Sequence, residues 1–179
     1  MSKKVLILSS SPRKNGNSDI LCDRFADGAR DAGNDVEKLF INAMKIGYCR
    51  GCGACAETKK CVLQDDMASV LDKMVHADVI VFGTPVYFYA MSGQLKTLID
   101  RTVPRYTEIK GKDFWLIMTA AENNRENMRP VVEGFRGFLN CLDDAREKGI
   151  IYGLGAWKAG EITTMPAMQE AYNAGKSIK

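Results

Sequence analysis

The stretch Val5-Leu6-Ile7-Leu8-Ser9-Ser10-Ser11-Pro12-Arg13-Lys14-Asn15-Gly16-Asn17-Ser18 passes from four apolar residues into hydroxyls, amides, one glycine and two cations. The apolar run is short, β-branched in part and without polar alternation, which predicts a strand buried on both faces. From Asp19 to Ala32, apolar Ile20, Leu21, Phe25 and Ala29 fall at helical spacing, and Gly33-Asn34 supplies a stop. A strand that feeds a helix through such a loop leaves the helix's first N–H groups and its partial positive charge at the strand's carboxyl end, where an anion is held. The hydroxyls of Ser9, Ser11 and Ser18 and the Asn17 amide add donors. The loop lacks the Gly-Lys-Ser/Thr ending of a Walker A motif and is not Gly-x-Gly-x-x-Gly, so neither of those nucleotide fingerprints applies. The same residue types also make ordinary turns and caps; the position after a first buried strand favours the anion site.

Outward from this loop, short apolar runs alternate with amphipathic segments. Strands are expected at Asp35–Ile41, Asp78–Gly83, Asp113–Thr119 and Gly149–Leu154, and helices at Asp66–His76, Gly93–Val103, Asn127–Leu142 and Met165–Lys176. Pro130 is tolerable because it falls in a first helical turn. Five strands, each followed by a helix, predict an α/β fold: one parallel sheet between two helix layers, formed by a single domain over 1–179. Ligands of such sheets bind beyond the carboxyl ends of the strands, so the loops after the first, third and fourth strands are the ones to read.

After the third strand comes Gly83-Thr84-Pro85-Val86-Tyr87-Phe88-Tyr89-Ala90-Met91-Ser92-Gly93. A turn with three aromatics in a row cannot bury them all, and it suits the faces of a planar ligand or a contact between protomers. After the fourth strand, Thr119-Ala120-Ala121-Glu122-Asn123-Asn124 offers small side chains past which backbone can approach a ligand. A cysteine-rich loop spans 47–66, with Cys49, Cys52, Cys55 and Cys61 inside thirteen positions. Thiolates at this spacing ligate iron–sulfur clusters or zinc, and glycines let a loop wrap such a site; redox-active or free thiols are the other reading. Cys22 and Cys141 fall in amphipathic helices and are expected in the core.

The chain has 179 residues and a net charge of +3, with no long run of like charge, so the pattern points to neither nucleic acid nor a membrane surface. No apolar run reaches the roughly 18 residues of a membrane span, and Val5–Leu8 is too short for a signal peptide, so a cytoplasmic protein with reduced cysteines is expected. With one histidine, His76, at a helix end and no Gly-x-Ser-x-Gly elbow, hydrolytic triads find no support.

The run strand-Ser-Ser-Pro-Arg-x-x-Gly-Asn-Ser resembles the phosphate loop of the flavodoxin-like NAD(P)H-dependent FMN reductases. That resemblance covers nearly the whole chain and implies a three-layer sandwich with a five-stranded sheet of order 2-1-3-4-5 and non-covalent FMN. By it, Ser11, Arg13, Asn15, Asn17 and Ser18 would hold the FMN phosphate, while Pro85, Val86, Tyr87 and Phe88, with Thr119 and Ala120, would border the flavin ring. The family often has two glycines where this chain has Ala120 and Ala121. The cysteine loop is similar to that of the iron–sulfur flavoproteins, which implies a [4Fe–4S] cluster on Cys49, Cys52, Cys55 and Cys61. FMN reductase relatives without a demonstrated cluster share the pattern, including the Asp65-Asp66-Met67 that follows. The resemblance implies NAD(P)H as cosubstrate, a small-molecule or protein electron donor and acceptor, and a homodimer or homotetramer. An electron carrier without turnover and a thiol-based redox or metal sensor are the competing functions; the basic net charge is unlike the strongly acidic flavodoxins.

Overall fold

In the computed structural model, which describes residues 2–179, the alternation along each strand decides which layer each side chain joins. In β1 (Lys4–Ser9), Val5 and Ile7 face one helix layer while Leu6 and Leu8 face the other. The same split divides Val79 and Val81 from Ile80 and Phe82 in β3 (Val79–Tyr87). Strands apolar on both faces require cover on both faces. One layer is α1 (Asn17–Asp31) with α6 (Ala167–Lys176); the other is α3 (Met67–His76), α4 (Gly93–Asp100) and α5 (Arg129–Leu139).

The parallel strands run in the order β2 (Asp35–Phe40), β1, β3, β5 (Asp113–Ala120), β6 (Arg146–Leu154). This is the expected 2-1-3-4-5 order of a flavodoxin-like sheet. A sixth strand, the two-residue β4 (Ala90–Met91), pairs antiparallel with the end of β3. Under the sheet, Phe82, Phe114, Phe135 and Phe138 form an aromatic cluster with centroids 5.9–6.5 Å apart. Among the described residues no helix is long and apolar enough to cross a membrane.

Several boundaries differ from expectation. The third strand continues beyond Gly83 to Tyr87, because Thr84 and Pro85 still pair with Met118 and Thr119 of β5; Gly83–Gly93 is therefore a strand end and hairpin, where a loop was expected. The last strand begins at Arg146, ahead of the apolar run, and a register shift between Phe114 and Trp115 accommodates the extra residue. The helix expected over Asn127–Leu142 is shorter: a single 3₁₀ turn (Arg125–Met128) precedes α5, which stops at Leu139. Cys141 consequently lies exposed beyond that stop, its thiol 3.4 Å from the Gly137 carbonyl, whereas Cys22 is in the core as expected. Burial pushes the Cys22 thiol well above its ordinary range, so it packs as a small hydrophobe.

Helices α1 and α6 cross without room for side chains. A Cβ on Gly28 would stand 2.0 Å from the Tyr172 carbonyl oxygen, and one on Gly175 would stand 2.1 Å from that of Phe25. Both obstacles are backbone, which cannot swing aside. Gly28→Val should therefore cost ~3 kcal/mol of unfolding free energy, the upper range for overpacking, as read by urea denaturation. An unchanged midpoint would mean that the helices can separate freely.

Candidate functional site

The carboxyl ends of β1, β3, β5 and β6 surround a cleft of about 540 Å³. Arg13 and Asn17 line it from the β1 loop, Pro85, Val86 and Tyr87 from the end of β3, and Thr119, Ala120 and Ala121 from the end of β5. A fourth wall is Ala156, Trp157, Lys158 and Ala159, from the Gly-rich loop after the last strand, which in sequence reads as a plain loop or as the border of a partner protomer's flavin.

The β1 loop forms the floor. Gly16 stands at the N-cap of α1 with no side-chain cap, and the first intrahelical bond is the Ile20 N–H to the Gly16 carbonyl, so the N–H groups of the first turn have no backbone acceptor. Ser18 is 1% exposed and its hydroxyl has no hydrogen-bond partner, a rare condition for a buried polar atom. Ser11 Oγ donates to the Arg13 carbonyl (2.8 Å) and accepts from the Arg13 N–H (3.2 Å), closing a tight turn that leaves the Arg13 side chain exposed. Arg13, Lys14 and Lys158 make no ion pair among the described residues.

With the Ser11 hydroxyl turned onto the Arg13 backbone, two more of the expected donors are already committed. Ser9 Oγ donates to Asp19 Oδ1 at 2.7 Å. The Asn17 side chain donates to the carbonyls of Ala156 (3.3 Å) and Lys158 (2.9 Å) and accepts from the Gly160 N–H (2.9 Å). Asn17 thereby pins the Trp157 loop across the cleft, and Glu161 holds that loop from the other side by accepting the N–H groups of Trp157 and Lys158 at 2.8 Å each. Asn15 adopts φ 58°, and its N–H donates to Asp19 Oδ2 at 3.0 Å.

Of the three aromatics in the hairpin, Tyr87 lines the cleft, whereas Phe88, expected beside the ring, and Tyr89 do not. Phe88 and Tyr89, the hairpin's two turn residues, have φ 49° and 58°, a region that favours Asn and Gly and strains bulky residues. Phe88 is fully exposed, and Tyr87, Tyr89 and Trp157 are partly so. Strain and solvent exposure of this kind collect where a segment serves a ligand or partner.

The cysteine loop stands apart from the cleft floor. Cys49 and Cys52 are exposed, Cys55 opens the four-residue α2 (Cys55–Thr58), and Cys61 is half-buried. Among the described residues no three Cys, His, Asp or Glu side chains gather where they could hold a metal ion. What fixes the loop is Arg101, 1% exposed at the end of α4, which the sequence reading passed over. Its guanidinium donates to both carboxylate oxygens of Asp65 (2.8 and 2.9 Å) and to the Gly47 carbonyl (2.6 Å), joining the two feet of the loop. Asp65 also accepts the N–H groups of Gly47 (2.9 Å) and Met67 (3.2 Å), so it caps α3. Arg101 above all, then these N–H donors, hold the Asp65 carboxyl below the ordinary carboxylate range.

Comparison with known proteins agrees with this arrangement. Residues 3–138 match the model of the NADPH-dependent FMN reductase family. The chain belongs to that family. An iron-sulfur flavoprotein of Archaeoglobus fulgidus is 36% identical over 111 residues, which cover 61% of this chain and 50% of the relative. The putative NAD(P)H-dependent FMN-containing oxidoreductase YwqN of Bacillus subtilis is 24% identical over 161 residues, 85% of each protein. This chain thus spans about half the length of the iron–sulfur flavoproteins it matches. Among solved structures, an NAD(P)H:quinone oxidoreductase from Methanothermobacter marburgensis superposes with a TM-score of 0.73 at 18% identity, covering 98% of this chain and 96% of the other.

Arg101→Met would leave a largely buried carboxylate without its cation and should cost about 3 kcal/mol in denaturation experiments at neutral pH. A carboxyl whose folded pKa is depressed contributes stability that is present above its unfolded value and lost as pH falls through the folded one. Amide exchange over 47–66 in the wild type should therefore accelerate only well into acid, whereas R101M should exchange fast already at neutral pH. Equal exchange in the two proteins would show that the loop is held by something else.

Proposed function

We propose that this chain is an FMN-dependent oxidoreductase, one FMN-binding domain that passes electrons from NAD(P)H or a reduced carrier to a small-molecule or protein acceptor. The observation that carries this reading is the floor of the cleft: unpaired first-turn N–H groups beside the buried, partnerless Ser18 hydroxyl. A terminal phosphate fits that floor, because it brings acceptors only and supplies the partner Ser18 lacks. The Ser18 hydroxyl and the first-turn backbone N–H groups of Asn17 and Ser18 would form the cradle on a loop shaped by Ser11 and Asn15, with Ser9 and the Asn17 side chain acting through the loops they fix, and the Arg13 and Lys158 side chains would add positive charge. Thr119, Ala120, Ala121 and Ala156 are small enough to let backbone approach a flat ring, and Pro85, Val86, Tyr87 and Phe88 would border its edge. The cleft volume lies inside the roughly 300–1,000 Å³ of ordinary cofactor sites.

Bound FMN supplies hydride acceptance and the return of electrons singly or in pairs. The protein's part is to bind, orient and limit access, so no side chain is assigned general acid or base work. Tyr87 and Trp157, both exposed in the lining of the cleft, would offer aromatic walls to donor and acceptor. The exposed strained hairpin favours assembly as a homodimer or homotetramer, which would cover Phe88. The expected location is the cytoplasm.

A second reading, an electron-transfer iron–sulfur flavoprotein without turnover of its own, is favoured by the spacing of Cys49, Cys52, Cys55 and Cys61 and by the relatives of that name. As placed, the four thiols do not fit a cluster, since no three of them converge. Holding one would require the loop to regather.

The first measurement is an absorbance spectrum of anaerobically purified protein with iron and sulfide analysis. Flavin bands are expected; about four iron per chain would move the cysteines to a [4Fe–4S] role, and a colourless protein that refuses added FMN would overturn the proposal. Ser18→Ala should weaken FMN about tenfold, the usual worth of a hydrogen bond to a charged group, while riboflavin, which has no phosphate, binds unchanged.

A further inference from the structure

Asp19 is an unexpected residue for its position. It lies in the first turn of α1, directly after Ser18, and is 2% exposed. A buried carboxylate beside a phosphate cradle repels the ligand the cradle is built for. Its oxygens also do not cap the helix. They turn back beneath the loop, where Oδ1 accepts the Ser9 hydroxyl (2.7 Å) and the Lys38 ammonium (3.0 Å) and Oδ2 accepts the Asn15 N–H (3.0 Å).

Those partners come from separate parts of the molecule. Ser9 is the last residue of β1, Asn15 sits in the left-handed region just before the helix, and Lys38 reaches over from β2. One carboxylate thus ties the start of the loop to its end. Burial alone would raise the Asp19 carboxyl, but hydrogen bonds from Ser9, Lys38 and the Asn15 N–H outweigh it and hold it below the ordinary range. Lys38 is itself largely buried and also pairs with Asp23 of α1. Lys38 is the charged group in hydrogen-bond contact with the carboxylate, and it is shared with the half-exposed Asp23, so it offsets the buried charge of Asp19 while solvent screens Asp23.

We infer that Asp19 is the positioning residue of the anion-binding loop, clamping Ser9 to Asn15 from behind, and that Lys38 is what permits a carboxylate there, by offsetting its charge so that a phosphate can bind on the loop's other side. This rests on the FMN reading of the cleft. The alternative is an ordinary buried ion pair that fastens α1 to β2 and matters only for stability.

The test is to titrate wild type, Asp19→Asn, Lys38→Met and the double variant with FMN and with riboflavin, and to record thermal unfolding of each. A role through the phosphate loop changes the ratio of the two affinities, which a stability role would leave alone. Lys38→Met, which strands the carboxylate, should weaken FMN about thirtyfold. Asp19→Asn should weaken it about tenfold, and the double variant should be no worse than Asp19→Asn. Riboflavin affinity should stay within about twofold throughout, since it carries no phosphate to be repelled or misplaced. Ser9→Ala removes one arm of the clamp without touching charge; should the charge variants fail to fold, it serves alone, with a smaller loss for FMN only. Equal weakening of both flavins, or lowered stability with an unchanged ratio, would overturn the inference while leaving the FMN reading intact. A wild-type protein that binds neither flavin would overturn both.

Discussion

A helix that starts at the carboxyl end of a buried parallel strand has N–H groups it cannot satisfy, and the rest of this molecule is arranged around that fact. β1 lies inside the sheet, flanked by β2 and β3, so the first turn of α1 opens where four strand ends converge. The loop between them cannot close over its own donors, because its side chains are engaged elsewhere: Ser9 with Asp19, Ser11 with the Arg13 backbone, Asn17 with the Trp157 loop. What is left facing the cleft is the unpaired backbone and one serine hydroxyl. The geometry that makes the fold stable is thus the geometry that makes the site available.

Two further loops are pinned by single polar side chains, each by a different balance of forces. Asn17 is neutral and makes three hydrogen bonds that would otherwise be made by water, so its contribution is mainly to select one loop arrangement. Arg101 is charged and buried, and removal from water would oppose it strongly if Asp65 and the Gly47 carbonyl did not meet its fork. Its Nε still lacks a partner. A buried ion pair of this kind adds little net stability over an apolar pair of equal shape, but losing one member is costly. Arg101 is therefore better understood as defining where the cysteine loop begins and ends than as strengthening the core.

How far the sequence could be read follows the range of the interactions. The helices and parallel strands were legible because periodicity is local: Leu6 and Leu8 against Val5 and Ile7 state the two-sided burial directly. The β1 loop was legible because its residue types and its place after a strand are both on the line of text. The β3–β4 hairpin was not, since Phe88-Tyr89 occupies positions where Asn-Gly would have announced a turn, and the pairing of Pro85 with β5 is a property of the sheet. The exposure of Cys141 follows from a helix that ends at Leu139 with Asn140 as its C-cap, ahead of where the apolar spacing through Leu142 would end it. Lys38, Arg101 and Lys158 read in sequence as unremarkable cations within a strand, at a helix end and in a loop. The importance of Lys38 and Arg101 lies in partners 19 and 36 residues away, and that of Lys158 in the cleft it lines.

The exposed hairpin shows the converse case, in which local preference is overridden for no visible gain within the chain. Two adjacent aromatic residues at positive φ cost energy that neither their packing nor their hydrogen bonds return: Phe88 touches solvent on all sides, and the Tyr89 hydroxyl lies 3.5 Å from Glu122, at the limit of a hydrogen bond. Asn-Gly at the same two positions would relieve the strain and keep the two-residue connection between β3 and β4. A segment that retains the unfavourable choice is the kind that a bound ligand or a partner surface would compensate. The strain at Phe88-Tyr89 and the unanswered hydroxyl of Ser18 are thus the same kind of evidence. Each is a local imbalance that a ligand or a second copy of the chain would correct, and among the described residues the other buried side-chain polar atom without a partner is the Nε of Arg101.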